Sequence, residues 1–363
     1  MIDPTLLREF YTPGAPLPAA AWEGLHPDPE AEIEALVLER RFPRRRPWHA
    51  YVPFESRWVP SRLRAALLRR RGRWGLAERE AFPRWPAEPV VEELRARVWA
   101  AARKAGLARN PAPFWPDGKR WAVALSHDLD SPEIYRRGWW KPFAELEERL
   151  GLRSSWHFCL NHLPEAAPVL DELARRGHEI AWHGFRHDYR IAYLREDRLR
   201  ERIAAHVATF ARWQIQGFRS PFYLRTAALS RGLSPALRYD SSARDTGTEF
   251  LSPHRREGCC TVFPFFREGL VELPLTIPED LALTCLAGDD AGAITAAQRD
   301  KAARVREAGG VALVLTHPLR WISLRPGAFA AYRAFAESVA RDPGAWRALP
   351  RDVAAWWRTR HGR

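Results

Sequence analysis

Cysteine and lysine are scarce in this chain. The four cysteines are Cys159, Cys285 and the adjacent pair Cys259-Cys260, and no CxxC pair occurs. That excludes a disulfide framework and a cysteine zinc site, and predicts reduced structural thiols. Lysine stands only at 104, 119, 141 and 301, so a net charge of +13 is carried almost wholly by arginine. The arginines are spread through the chain, which reads as compositional bias rather than as a dedicated anion surface. No stretch approaches the ~18–20 uninterrupted apolar residues of a membrane span. The start, Met1-Ile2-Asp3-Pro4, lacks the charged beginning and apolar run of a signal peptide. The expectation is a cytoplasmic protein without a membrane span. Internal repeats are absent too.

A hydrophobic content of 46% over 363 residues suits a large globular core. Residues 1–117 are rich in Pro, Arg and Trp, with helical patterns at Glu30–Arg41, Ser61–Arg71 and Val91–Ala105. In the last of these, Val91, Leu94, Val98 and Ala101 share one face. Pro111, Pro113 and Pro116 mark a junction. From residue 118 onward, apolar strand-like runs alternate with helical ones. The strands are expected at Arg120–His127, Ser154–Cys159, Glu179–His183, Gly217–Arg219, Tyr239–Ser241, Leu270–Leu273 and Val311–Thr316. The helices are expected at Pro164–Arg176, Glu196–Gln214, Ile294–Ala308 and Ala328–Arg341. This alternation predicts an α/β fold, a distorted (β/α) barrel of about seven parallel strands spanning 118–363, with 1–117 as a mainly helical extension packed on it.

Five fragments carry chemistry. They are Ser126-His127-Asp128-Leu129-Asp130, His183-Gly184-Phe185-Arg186-His187, Arg219-Ser220-Pro221-Phe222, Tyr239-Asp240-Ser241-Ser242 and Leu315-Thr316-His317. Alternate residues of a strand point the same way, so Asp128 and Asp130 can face one pocket. The i, i+4 spacing of His183 and His187 would place both imidazoles on one face of a helical turn. Two neutral histidines and one carboxylate leave coordination positions open, as in a catalytic metal site. Arg219 can hold a carboxylate ionised and oriented. His317 ends the strongest strand of the chain. Each fragment alone has an ordinary structural explanation. What unites them is that Asp128, His183, Arg219 and His317 each end a strand, where a barrel gathers its catalytic groups.

In this order, the fragments resemble the polysaccharide deacetylase superfamily, also called the NodB-homology or carbohydrate esterase 4 group. The likeness covers residues 120–345 and includes Gly177-His178-Glu179-Ile180 ahead of His183-x-x-x-His187. It implies that Asp130, His183 and His187 bind a divalent metal, usually zinc, with cobalt, nickel or iron as alternatives. It further implies Asp128 as general base, Arg219 as its charge partner, a backbone N–H near Phe222 as oxyanion donor and His317 as general acid. Asp240 and Glu272 are both candidates for the carboxylate that orients His317. His178 corresponds to a structural position. His127 and Gly184 depart from the commoner pattern; the first would add an imidazole close to Asp128, and the second removes a hydroxyl. The resemblance implies removal of an acyl group, acetyl above all, from an N-acylated sugar or glycan precursor; the arginine-rich stretches near the N-terminus could receive one linked to phosphate or nucleotide. The branch it suggests is found among cell-surface glycan biosynthesis proteins.

Other functions compete with this one. The same fold could hydrolyse another C–N amide bond, of cyclic imide or allantoin type. Two histidines and a carboxylate also describe non-haem iron oxygenases, but those usually present His-x-Asp on a β-rich fold. A non-catalytic barrel binding an anionic glycan or nucleic acid is the third. The clusters Arg40–Trp48 and Arg69–Trp74 interleave arginine with tryptophan; without a nucleic-acid module they are expected to wrap the barrel, and nucleic acid is not an expected partner.

Overall fold

The computed structural model describes residues 29–40, 82–106, 114–248 and 256–362. Its strands are β1 (Trp121–Leu129), β2 (Ser154–Phe158), β3 (Glu179–Trp182), β4 (Gly217–Phe218), β5 (Tyr239–Asp240), β6 (Gly247–Thr248), β7 (Arg256–Glu257), β8 (Phe265–Arg267), β9 (Leu270–Glu272), β10 (Val311–Thr316) and β11 (Ala345–Arg347). The main sheet runs β10-β1-β2-β3-β4-β5-β9-β8, with β11 also on β1. All its pairs are parallel except β8 with β9. A separate antiparallel pair joins β6 to β7. The seven expected strands are β1 to β5, β9 and β10; the parallel strand β11, and β6, β7 and β8, add to them.

β1 and β10 are buried at every residue. Strands covered on both faces need continuous apolar runs, which is what Ala122–Leu125 and Val311–Leu315 supply. The gap between β9 and β10 is bridged by the segment after β9. There Thr276 Oγ1 donates to the Val311 carbonyl (2.6 Å) and accepts from Leu313 N–H (3.0 Å), and Ile277 N–H donates to the Leu313 carbonyl (3.2 Å). The sheet therefore curls into a distorted barrel. Gly217 is required by close approach: a Cβ there would lie 2.0 Å from the Tyr239 ring.

Helices fill the connections. Pro132–Arg136 and Lys141–Arg149 follow β1, Leu163–Arg175 follows β2, and Ala227–Leu233 follows β4. Asp280–Ala287 and Ala291–Ala308 lead into β10; Pro326–Arg341 and Pro350–Arg360 follow it. The single helix expected over Glu196–Gln214 is two, Glu196–Ala204 and Val207–Arg212, because His206 leaves the helical conformation (φ −115°, ψ 17°). No glycine or proline marks that break, so the pattern could not show it. Ahead of the barrel, helices Pro29–Val37 and Val90–Lys104 add Ile33, Leu36, Val37, Val91 and Leu94 to the common core. The expected helix Ser61–Arg71, the basic clusters beyond Arg40, and Pro111 and Pro113 lie outside the described residues. Among the described residues no helix is long and apolar enough to cross a membrane.

Candidate active site

Asp128 and Asp130 leave the C-terminal end of β1 on the same side, as strand alternation requires. Two residues further back, Ser126 donates to the Val314 carbonyl of β10 (2.7 Å) and accepts from Arg219 Nη2 (2.9 Å). Arg219 is wholly buried. Its Nη1 donates to Asp128 Oδ1 (2.7 Å) and its Nε to the Ser241 carbonyl (3.1 Å). The Tyr239–Ser242 fragment thus supports the arginine rather than reaching the pocket. Ser242 Oγ also accepts from Ser220 N–H (2.8 Å).

The two histidines of the HxxxH fragment meet without a helix. After β3 the chain turns at Gly184, whose φ of +89° favours glycine, and residues 185–190 form successive bends. The hydroxyl that a serine or threonine would supply is absent because the backbone there disfavours a side chain. His183 Nδ1 donates to the Arg219 carbonyl (2.8 Å), which leaves Nε2 facing the carboxylates, 3.2 Å from Asp130 Oδ1 and 3.7 Å from Asp128 Oδ2. His187 Nε2 stands 3.5 Å from Asp130 Oδ2, and its ring lies 4.5 Å from that of Phe222. One ligand atom each from Asp130, His183 and His187 falls within a 4.8 Å group; Asp128, Asp130 and His317 make a second, overlapping group.

The electrostatics suit a cation. Asp130 Oδ1 is a buried atom that receives no hydrogen bond among the described residues. Burial would raise the Asp130 carboxyl, but His187, His317 and His183 around it hold it below the usual carboxylate range. Burial pushes His187 down to about 4, so it is neutral at pH 7. His183 is opposed by burial yet raised by Asp128 and Asp130. An anionic carboxylate and a neutral imidazole are the states that metal ligation needs, and a cation would displace the proton from His183.

His317 leaves the end of β10 with its Nε2 4.0 Å from Asp128 Oδ2 and 3.8 Å from Asp130 Oδ2. Neither Asp240 nor Glu272 orients it. Asp280 does: its Oδ1 lies 2.7 Å from His317 Nδ1, and its Oδ2 accepts from His317 N–H (2.5 Å) and from the Ser323 hydroxyl. Burial would depress His317, but Asp280, then Asp130 and Asp128, raise it well above the usual histidine range. Asp280 opens the helix Asp280–Ala287, where acidic residues are common for capping and dipole reasons, and so carried no distinctive signal. Asp240 and Glu272 are instead cross-strand neighbours on β5 and β9. Asp240 accepts from the Ser242 hydroxyl, and Glu272 Oε1 from Ala243 N–H (2.6 Å). Burial, and then Asp240 beside it, push Glu272 up to about 8.

His127 is not beside Asp128 in the pocket. As the next residue along β1 it points to the other face, where it stacks on Trp156 (4.1 Å) between Glu147 (Nε2 to Oε1, 2.8 Å) and Thr316 (Nδ1 to Oγ1, 2.6 Å). Ser154 and Tyr332 also donate to Glu147. Removing one member of such a buried set strands the others. His127→Ala is therefore expected to lower unfolding stability by about 3 kcal/mol or more while leaving KM unchanged, as denaturant unfolding and steady-state kinetics would show. A residue that the fragments did not flag does reach the pocket: His157 of β2, wholly buried, has Nδ1 3.7 Å from Asp128 Oδ1. Burial and the Arg219 charge hold it well below the usual histidine range. His178 bridges structure, its Nδ1 accepting from Ser154 N–H (3.1 Å) and its Nε2 meeting Glu148 (3.0 Å).

Three solved structures share this architecture. One is a Mycobacterium smegmatis protein assigned as a polysaccharide deacetylase (TM-score 0.52, 20% identity, 68% of this chain and 93% of that one). The others are Puue allantoinase and a Pseudomonas aeruginosa PAO1 protein assigned as a polysaccharide deacetylase. Each of these has a TM-score of 0.54, 16% identity and coverage of 70% of this chain and 96% of the other. The chain has the polysaccharide deacetylase fold. No family model matches it, and no curated protein does. Within that fold, the pocket lies where a (β/α) barrel places its chemistry, at the C-terminal ends of β1, β3, β4 and β10.

Proposed function

We propose that the protein is a metal-dependent hydrolase that removes an acyl group, acetyl above all, from an N-acylated sugar or glycan precursor. One observation carries the reading. Asp130, His183 and His187 converge as a ligand set beside two further groups, each with its own buried partner: Asp128 on Arg219 and His317 on Asp280. The donor set fits zinc, with cobalt, nickel or iron as alternatives. Held by Asp130, His183 and His187, a divalent ion would supply Lewis acidity toward water and the substrate carbonyl.

The chain's own residues do the rest. Asp128, paired with Arg219, takes the proton of the attacking water. His317, kept protonated by Asp280, gives a proton to the departing amine. A backbone N–H near Phe222 steadies the carbonyl oxygen as charge builds on it. Residues 118–363 would form the catalytic domain, with 1–117 packed on it, and the protein would act in the cytoplasm, on a free sugar or one linked to phosphate or nucleotide. The test is acetate release from N-acetylated sugars. Wild type is expected to release acetate, while Asp128→Asn and His183→Ala lose about 10³-fold or more. Activity surviving in both variants would remove the assignment. Because an allantoinase shares the fold, allantoin belongs in the same assay; turnover of allantoin alone would favour cyclic-amide hydrolysis.

A further inference from the structure

The turn Ser220–Tyr223 borders the site and has a conformation that its residues do not favour. Phe222 (φ 57°) and Tyr223 (φ 56°) both have positive φ, and neither is glycine. Two such residues in succession persist only where the surroundings over-determine them. Three clamps do so. Ser220 N–H is held by Ser242 Oγ (2.8 Å). The Tyr223 hydroxyl donates to Glu279, the residue before Asp280. The Tyr223 carbonyl accepts from Arg225 Nη1 (2.6 Å), which also donates to the Ser242 carbonyl (2.6 Å).

Arg225 is buried, and the remaining face of its guanidinium goes to one residue. Nε donates to Glu39 Oε2 (2.8 Å) and Nη2 to Glu39 Oε1. Glu39 is buried too, sits just past the helix Pro29–Val37, and also accepts from Arg267 Nη2 (3.3 Å). An ion pair that joins residues 186 positions apart thus ends on the backbone of the turn beside His187. Without the Glu39 carboxylate, the anion left beside Arg225 is Glu257, 3.9 Å from Nη2. A shift of the guanidinium toward Glu257 would draw Nη1 from the Tyr223 carbonyl, the contact that clamps the turn.

We propose that Glu39 is a positioning residue: through Arg225 it holds the strained turn Ser220–Tyr223 in its working geometry, which makes the segment ahead of the barrel part of the active-site support. This rests on the hydrolase reading of the pocket. The test uses the full chain with Glu39→Gln, which keeps shape and loses charge, and Glu39→Asp, which keeps charge. Two readouts are taken well below the unfolding temperature: kcat and KM for acetate release, and amide hydrogen exchange of peptides covering 219–226, β1 and β10.

In Glu39→Gln, kcat should fall about 10-fold or more with KM little changed. Exchange should quicken about 10-fold at 219–226 but not in β1 or β10. Glu39→Asp should lie between wild type and Gln in both readouts, and serves alone if Gln does not fold. Exchange that rises uniformly, or a kcat equal to wild type in a folded variant, overturns the proposal. If wild type releases no acetate, the hydrolase reading fails by itself, and local exchange at 219–226 still decides the role of Glu39.

Discussion

An Asp130→Ala variant will purify without a stoichiometric metal and will lose turnover by about 10³-fold or more. Asp130 is the hub of the site. It is the one carboxylate in contact range of His183, His187 and His317 together, with a buried Oδ1 that no hydrogen bond satisfies among the described residues. Its removal leaves two imidazoles as the donor set and deletes the negative charge that compensates a cation. The fold should survive, because Asp130 lies beyond the end of β1 and supports none of the ladder pairs. Metal content by elemental analysis, with circular dichroism as the control for folding, checks this. A variant that keeps one metal per chain would place the ion elsewhere. The complementary experiment is chelation: wild type dialysed against chelator should lose activity and recover it on addition of zinc or cobalt.

Asp280→Asn should lower kcat by about 10²–10⁴-fold. The amide keeps the size of the side chain but no longer compensates a protonated imidazole, and it can hold His317 in the wrong tautomer. Asp280 meets the Nδ1 edge of His317, while Nε2 is the atom that faces Asp128 and Asp130, so KM should change little. The pH profile gives the sign. Burial opposes protonation of His317, and Asp280 is the foremost group raising it. Deleting that charge lowers the pKa, so the alkaline limb of kcat/KM, where a general acid loses its proton, should move to lower pH. An unchanged limb would mean that another group donates the proton. Asp240→Asn and Glu272→Gln, by contrast, should leave the limb in place, since both lie on the β5–β9 side and do not contact His317.

The fold was legible where burial writes itself into composition. β1 and β10 are covered on both faces and therefore read as unbroken apolar runs, whereas β4 and β5 are two residues long and are legible only through the fragments that hold Arg219, just after β4, and Tyr239, which opens β5. β8 and β11 are three residues each and carry no period to read. In the candidate site, the histidine spacing suggested convergence for a reason the structure does not use: the imidazoles meet across a glycine turn, not on a helix. His127 lies away from the pocket because neighbours along a strand face opposite sides, the same alternation that brings Asp128 and Asp130 together. Asp280 was illegible because its partner lies 37 residues away and an acidic residue at a helix start has ordinary reasons to be there.

A crystal structure of the metal-loaded protein, with anomalous data collected at the absorption edge of the bound metal, tests the central claim most directly. The expected result is one strong peak in the pocket, about 2.0–2.2 Å from Asp130, His183 Nε2 and His187 Nε2, with Asp128 still on Arg219 and His317 still on Asp280. A fully active protein with no peak there, or with the peak at another set of residues, would contradict it.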